Sequence, residues 1–184
     1  MKTEYRLAEC LRNLMSTTPL DTISVTTLTK NCKINRQTFY YHFHDIYDLL
    51  TLVYLNEKIE GIEDTTDTKS MIKVIFDYYN KNKFFIDASL SSAGKSLVQE
   101  FIYNNCYKSI YRFVGETPSG KKMHHTDKKI ITRFYAMAYA NSIVYYLSTY
   151  KNKTLQGLKQ CFCFESDDFL ERAVINFNKN KNKK

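Results

Sequence analysis

Helix-breaking residues are scarce along the whole of this chain. Only five glycines and two prolines occur in 184 residues, so few positions force a turn or end a helix. Apolar residues recur at spacings of three and four over most of the sequence, which is the period of a helix with one buried face. We therefore predict an all-α fold, in which amphipathic helices bury their apolar stripes against one another.

The first 62 residues contain four short helical patterns. They cover residues 3–17, about two turns from Val25 to Cys32, a stretch from Asn35 to Phe43, and a stretch from Asp45 to about residue 61. Ser24, Asn35 and Asp45 stand at the N-terminal ends of the last three helical patterns, and these residue types cap helix N-termini. Because a three-residue turn around Lys33 separates the second helix from the third, the pattern predicts a helix-turn-helix. We place a helix-turn-helix domain of this kind at residues 1–62.

The third helix carries polar side chains on the sides that its apolar residues leave open. Placed at 100° per residue with Phe39 and Phe43 facing inward, the helix turns these polar side chains outward or to its flanks. They are Arg36, Gln37, Thr38, Tyr40, Tyr41 and His42. Arg and Gln can bond purine edges, whereas Tyr, Thr and His can hold phosphates. A solvated helix with an aromatic half-core would show the same pattern, so periodicity alone leaves both interpretations open.

The run from Ile34 to Leu50, INRQTFYYHFHDIYDLL, resembles the recognition-helix signature of the TetR/AcrR family of regulators. In that signature a T-[FL]-Y-x-H-F core precedes an acid-capped fourth helix, and Ile23-Ser24-Val25 stands where the family's second helix begins. The resemblance covers about residues 5–55. It implies a three-helix head and a larger helical C-terminal domain that dimerises and often holds a small ligand. The segment Asn35–Phe43 is further similar to the subgroup of dihydroxyacetone-kinase-operon regulators.

The sequence departs from the family pattern at two positions. Lys33 stands where the family usually has glycine in the turn, so a residue with a side chain is expected to adopt left-handed or bridge-region backbone there. Ile46 stands where many members have a lysine that touches phosphate, so one backbone contact is expected to be missing.

The resemblance, together with the helix phasing, leads to a set of expected DNA-binding residues. They are Ser24, Asn35, Arg36, Gln37, Thr38, Tyr40, Tyr41 and His42. Arg36 and Gln37 lie at the N-terminal end of the recognition helix. This end enters the major groove deepest, so we expect both side chains to approach base edges. The others are expected mainly to hold phosphates and so to orient the domain.

A polar connector at residues 63–67 separates this domain from a predicted C-terminal regulatory and dimerisation domain at 63–178. Its predicted helices are residues 68–80, 92–114, 127–150 and 167–177, with a short apolar piece at 84–90. The helix at 127–150 is apolar around much of its girth and needs burial on more than one side. The resemblance implies that the last two long helices pair in a homodimer; the central core helix of a monomer is the alternative. Residues 179–184 are predicted to be a basic, disordered tail.

Aromatic residues are abundant, with 15 tyrosines and 12 phenylalanines in the chain. Tyr79, Tyr103, Tyr107 and Tyr139 are candidates for lining a ligand pocket, since tyrosine offers an apolar ring with a polar tip. Each of them could equally be a half-buried packing residue. The sequence does not identify a ligand.

Charge gives little information about a DNA-binding surface. The net charge is +8, yet Lys and Arg balance Asp and Glu within residues 1–62, so the whole excess lies further along the chain.

The five cysteines are expected to be buried thiols rather than disulfides, and a metal or redox role for the pair Cys161–Cys163 is a minor alternative. His124-His125 is expected in a loop.

No pattern indicates a cofactor, a metal site or a catalytic residue, which argues against an enzyme. No apolar run is long enough to cross a membrane and no signal peptide is evident, so a cytoplasmic location is expected. The resemblance to the TetR/AcrR family implies the predicted function, a ligand-responsive repressor that binds a palindromic double-stranded DNA operator as a homodimer. The alternative is an activator that is controlled by a partner protein or co-regulator.

Overall fold

The computed structural model describes residues 2–163 and 168–181, and all regular structure in these ranges is helical. The α-helices are α1 (Thr3–Leu14), α2 (Val25–Cys32), α3 (Arg36–His42), α4 (Ile46–Asn56), α5 (Thr68–Lys81), α6 (Lys83–Leu90), α7 (Lys95–Glu116), α8 (His125–Thr149), α9 (Leu155–Gln160) and α10 (Phe169–Lys181). Short 3-10 turns occupy Leu20–Thr22, Ile62–Asp64 and Gly120–Lys122. The predicted all-α fold is confirmed.

The described part of the chain divides into two compact units. One contains the residues up to 58 together with 79–101, and the other contains 59–78 and the residues from 102 onward. The first border lies close to the predicted boundary at residue 62, but residues 79–101 group with the N-terminal segment. Aromatic packing explains this, because the ring of Tyr54 on α4 lies 5.2 Å from that of Phe85 and 5.6 Å from that of Phe101.

The N-terminal helices surround one small core. Helix α1 packs against α2 and α4, and α2 packs against α3. Each helix contributes side chains that are completely buried: Leu7 and Leu11 from α1, Leu28 from α2, Phe39 from α3, and Leu49 and Leu50 from α4. Burying a side chain of this size stabilises a fold by about 1.5–3 kcal/mol.

The predicted helix starts in this region are confirmed by their caps. The Oγ of Ser24 accepts a bond from the backbone N–H of Thr27 at 3.1 Å, and the Oδ1 of Asn35 accepts one from Gln37 at 2.9 Å. Asp45 accepts from the N–H of Asp48 at 2.8 Å. Each cap satisfies a backbone N–H that has no partner inside its own helix.

Two predicted helix ends are too late. Helix α1 ends at Leu14 rather than residue 17, and α4 ends at Asn56 rather than about residue 61. Glu57 terminates α4 because its backbone is extended, with φ −67° and ψ 142°. Helix α9 was not predicted at all, since six residues are too few to show a helical period.

The C-terminal helix is longer than predicted. Helix α10 continues past Phe177 to Lys181, so Lys179 and Lys181 are helical rather than part of a disordered tail. The ammonium of Lys181 lies 2.8 and 2.6 Å from the two carboxylate oxygens of Asp127. That ion pair, and the favourable position of lysines at a helix C-terminus, account for the extra turn. Residues 182–184 and the predicted first residue of this helix, Asp167, lie outside the described residues.

The turn between α2 and α3 adopts the conformation that the sequence predicted. Lys33 has φ 54° and ψ 46°, the left-handed region, and the N–H of Ile34 donates to the carbonyl of Thr29 at 3.0 Å. Among the residues that the structure describes, Lys33 is the one non-glycine with positive φ. Left-handed backbone costs a residue with a side chain about 1–2 kcal/mol, so the turn holds Lys33 in a strained state.

Replacing Lys33 by glycine should therefore stabilise the protein. We expect the free energy of unfolding in urea to rise by about 0.5–1 kcal/mol, because the relieved strain exceeds the entropy that glycine loses on folding. Lys33→Ala is the matched control, since it removes the same charged side chain and keeps the strain. A glycine variant no more stable than the alanine variant would contradict this account.

Candidate nucleic-acid interface

Helix α3 is anchored by its aromatic residues. Phe39 is completely buried, and Phe43, which follows the last helical residue, is also buried with its ring centroid 5.8 Å from that of Phe39. Asn35 caps the other end of the helix. Because both ends and the inner face are held, the outer face is presented in one orientation.

The side chains on the outer face follow the predicted phasing. Tyr41 is the most open, with 84% of its surface exposed, and Tyr40 is 51% exposed. Arg36 and Gln37 are exposed, whereas Thr38 and His42 are half-buried. The orientation of α3 is thus confirmed, while the DNA contacts assigned to these residues stay predictions.

Arg36 and Tyr40 form a pair on this face. One terminal nitrogen of the Arg36 guanidinium donates to the Tyr40 hydroxyl at 3.4 Å, and the guanidinium carbon lies 5.8 Å from the centre of the Tyr40 ring. The two residues are one turn apart on α3, so their contact restricts the rotamers of both. A guanidinium held in this way loses less entropy when it bonds a base or a phosphate.

His42 and Ser24 have structural partners in addition to their predicted roles. Nδ1 of His42 lies 3.1 Å from a carboxylate oxygen of Glu4 on α1, so this imidazole connects the recognition helix to α1. Ser24 is occupied as the cap of α2 and lies 3.0 Å from the hydroxyl of Thr27. Both residues therefore position helices, and a substitution at either would change more than a phosphate contact.

Two lysines beside the turn were not among the expected DNA-binding residues. Lys30 and Lys33 are exposed, and with Arg36 they place a cation at every third position across the turn. Residues 22–44 contain no Asp or Glu, so this segment is locally basic although residues 1–62 are neutral as a whole. A charge count over a shorter window would have found it. Cations on such a surface attract the phosphate backbone.

The candidate ligand tyrosines do not gather around one cleft. Tyr79 is buried in the first unit, with its hydroxyl 3.1 Å from a carboxylate oxygen of Asp87. Tyr139 is buried in the second unit, where it stacks on Phe162 at 4.7 Å. Tyr103 and Tyr107 are half-buried neighbours on α7, and their ring centroids are 6.0 Å apart. These contacts agree with the packing alternative, and none of the four lines the cleft described next.

A cleft of about 360 Å³ lies within the second unit, where the start of α5, the end of α7 and the start of α10 come together. The residues lining it are Thr66, Asp67, Thr68, Lys69, Phe113, Glu116, Thr117, Asp168, Phe169, Leu170 and Glu171. Its volume is within the usual range for small-molecule sites, about 300–1,000 Å³.

The cysteines differ in their surroundings. Cys106 is a buried free thiol as predicted, and burial raises its pKa to about 12, which disfavours the reactive thiolate. Cys161 and Cys163 are exposed, which corrects the expectation that all five are buried.

In the part of the chain that the structure describes, no three His, Cys, Asp or Glu side chains come together as metal ligands would. Nor does any helix there have the length and apolar character needed to cross a membrane.

Comparison with known proteins identifies the larger, C-terminal part of the chain. A TetR family model described as a transcriptional regulator C-terminal region matches residues 66–161. A curated relative is the HTH-type dhaKLM operon transcriptional activator DhaS of Lactococcus lactis subsp. lactis (strain IL1403), which is 29% identical over 86 residues. That match covers 45% of this chain and 46% of the relative, so the chain spans about half the length of the curated protein it matches.

A solved structure agrees over nearly the whole chain. The dihydroxyacetone kinase operon activator DhaS has a TM-score of 0.60 and 20% sequence identity, with 95% of this chain and 97% of that one covered. This likeness concerns the fold, since sequences so different can share an architecture without sharing a ligand. The family model matches more than half of the residues. The chain therefore belongs to the TetR family of transcriptional regulators.

Proposed function

We propose that this regulator binds a palindromic operator as a symmetric homodimer, with residues 1–62 reading the DNA and the residues from 63 onward receiving the regulatory signal. The observation that carries the proposal is the outer face of α3, where Arg36, Gln37 and Tyr41 are exposed on a helix whose inner face is buried. A short helix displaying such side chains suits the major groove.

An exposed apolar stripe on α8 supports the homodimer. Ile130, Phe134, Met137 and Tyr145 are each more than half exposed, and their spacing places them on one face of the helix. Proteins rarely leave a continuous stripe of large apolar side chains exposed to solvent. A twofold contact with a second copy would bury the stripe of each protomer against that of the other. Two α3 helices related by this twofold axis would address two half-sites of a palindrome.

Gln37→Ala tests the reading of DNA sequence. We expect the variant to lose about 1–3 kcal/mol of discrimination at one base pair, because an amide that bonds a base edge is specific for that base. Binding should be measured by fluorescence anisotropy against a set of operators in which each position is changed in turn. The measurements should be repeated at two salt concentrations, because phosphate contacts depend on salt.

Tyr41→Phe is the matched control on the same face. It removes only a hydroxyl from the most exposed aromatic residue of α3, and the loss of a phosphate contact should weaken binding to all sequences about equally. If Gln37→Ala left the base preference unchanged while Tyr41→Phe altered it, the assignment of base and phosphate contacts would be wrong. Failure of the parent protein to prefer any sequence would reject the proposal itself.

The sign and the source of regulation form the finer part of the proposal. The family resemblance favours a repressor that leaves its operator when a small effector binds in the second unit. The matched relatives are named operon activators, which favours activation, the sign of the second candidate; in that candidate a partner protein or co-regulator controls the activator. A reporter gene placed behind the operator in cells, with and without the regulator, separates the two, since its expression rises on deletion of a repressor and falls on deletion of an activator. In either case we propose that the protein acts in the cytoplasm, where it would meet the chromosome.

A further inference from the structure

The floor of the cleft in the second unit is apolar. Phe113 from α7 and Leu170 from α10 are buried there, and the half-buried Phe169 lies beside them. A ligand that entered the cleft would therefore gain from covering apolar surface with an apolar group of its own.

The rim of the same cleft carries an excess of negative charge. Four carboxylates line it, against a single ammonium, that of Lys69. The carboxylates belong to Asp67, Glu116, Asp168 and Glu171. This is a local reversal in a chain whose net charge is +8. Low-dielectric walls concentrate the field of such a group of charges within a cleft.

Two of these carboxylates are held by uncharged donors. Glu171 accepts bonds from the backbone N–H of Ser119 at 3.1 Å and from the Ser119 hydroxyl, and these bonds lower its pKa. Asp67 accepts from the N–H of Ser70 at 2.7 Å. Neutral donors hold a carboxylate in place without cancelling its charge.

The two remaining carboxylates contribute differently. Asp168 is 2.7 Å from the guanidinium of Arg172, so its charge is partly offset. Glu116 is exposed at the end of α7, where its electrostatic interaction with the ammonium of Lys128 offsets part of its charge. The N-termini of α5 and α10 also meet the cleft, and each adds about half a positive charge. Among the residues that line the cleft, four carboxylates still outnumber one ammonium and the two helix ends, so the balance there is negative, which disfavours an anionic ligand.

We propose that this cleft binds a small organic cation that carries an apolar group, such as a primary arylalkylammonium ion. The carboxylates of the rim attract the cation, and the apolar floor formed by Phe113, Phe169 and Leu170 contacts its apolar part. Binding of such a cation in the cleft does not depend on the proposed function. Only the effect of the bound cation on operator binding rests on it.

Three soluble probes of the same shape test the charge requirement. They are phenethylammonium, 2-phenylethanol and phenylacetate, which are cationic, neutral and anionic. Titrated into the full chain and followed by NMR chemical shifts, the cation should bind at least about tenfold more tightly than either of the others. Equal binding of the cation and the alcohol would overturn the proposal, as would no binding of the cation at concentrations on the order of 10 mM.

A charge-neutralising substitution locates the site. Glu116→Gln should weaken binding of phenethylammonium by about three- to tenfold, since it removes one charge from a partly exposed rim. Glu100→Gln changes another exposed acid of α7 that belongs to the first unit and does not line the cleft, and it should leave binding unchanged. Equal effects of the two substitutions, or none from either, would mean that the cation does not bind in this cleft.

An operator-binding measurement with the same cation separates this inference from the proposed function. If the cation binds in the cleft and operator affinity changes, the cation site and its role in the proposed function are both supported. Binding in the cleft without any change in operator affinity supports the site and rejects its role as the effector site. An operator affinity that responds to phenethylammonium equally in the parent and the Glu116→Gln variant would place the effector site elsewhere and overturn the inference.

Discussion

Replacing Phe134 by glutamate should abolish the proposed homodimer and leave the regulator a monomer. In a single chain Phe134 is 68% exposed, so the substitution costs the isolated monomer little. In a twofold contact along the α8 stripe, two new carboxylates would be brought out of water and close together. Burying unpaired charges costs several kcal/mol, which exceeds what the rest of such a contact could offset.

Loss of the dimer should also weaken operator binding by at least about a hundredfold. Two linked DNA-binding domains bind the second half-site at a high effective concentration, on the order of millimolar, and a monomer forfeits this advantage. Light scattering gives the oligomeric state, and fluorescence anisotropy gives the affinity for a full palindrome and for a half-site. Affinity for the half-site should be unchanged.

Two further variants show whether the effect belongs to the α8 face. Phe84→Glu introduces the same charge at a side chain that is 72% exposed on α6, and it should leave the oligomeric state as it is. Phe134→Leu keeps an apolar side chain and should stay dimeric. A Phe134→Glu protein that remains a dimer at micromolar concentration would show that the α8 stripe is not the interface.

Arg12→Ala should lower the free energy of unfolding by about 2–4 kcal/mol. Arg12 on α1 donates through Nε to a carboxylate oxygen of Glu57 and through a terminal nitrogen to Oδ1 of Asn82 at 2.6 Å. Its guanidinium also lies 4.8 Å from the centre of the Phe85 ring. Because the Glu57 side chain is only 10% exposed, loss of the guanidinium would take a bonded cation away from a largely buried carboxylate.

The contribution of the Arg12–Glu57 ion pair can be separated by a second substitution. Arg12→Ala/Glu57→Gln removes the charge on both sides and should recover about half of the lost stability. Lys73→Ala, which breaks an exposed ion pair with Asp77 on α5, should cost less than about 0.5 kcal/mol. Urea unfolding monitored by circular dichroism measures all three. A single variant that loses under 1 kcal/mol, or a double variant no more stable than the single, would contradict the role given to Arg12.

The features predicted correctly from the sequence are those determined within a few residues. Ser24, Asn35 and Asp45 cap helices by bonding backbone two or three residues away. The orientation of α3 follows from the position of Phe39 within it, and the left-handed backbone of Lys33 was expected because the family that the sequence resembles usually has glycine at this place in the turn. Interactions of this range are specified by neighbouring residues whatever the rest of the chain does.

The features that the sequence did not reveal join residues far apart in the chain. Arg12 meets partners 45 and 70 residues away, and Lys181 extends α10 by pairing with Asp127, 54 residues earlier. The acidic cleft combines three separate segments, none of which is unusual by itself. Helical periodicity states which face of a helix is buried but not which helix covers it. The choice of partners, and with it the joining of residues 79–101 to the N-terminal unit, is decided by packing in three dimensions.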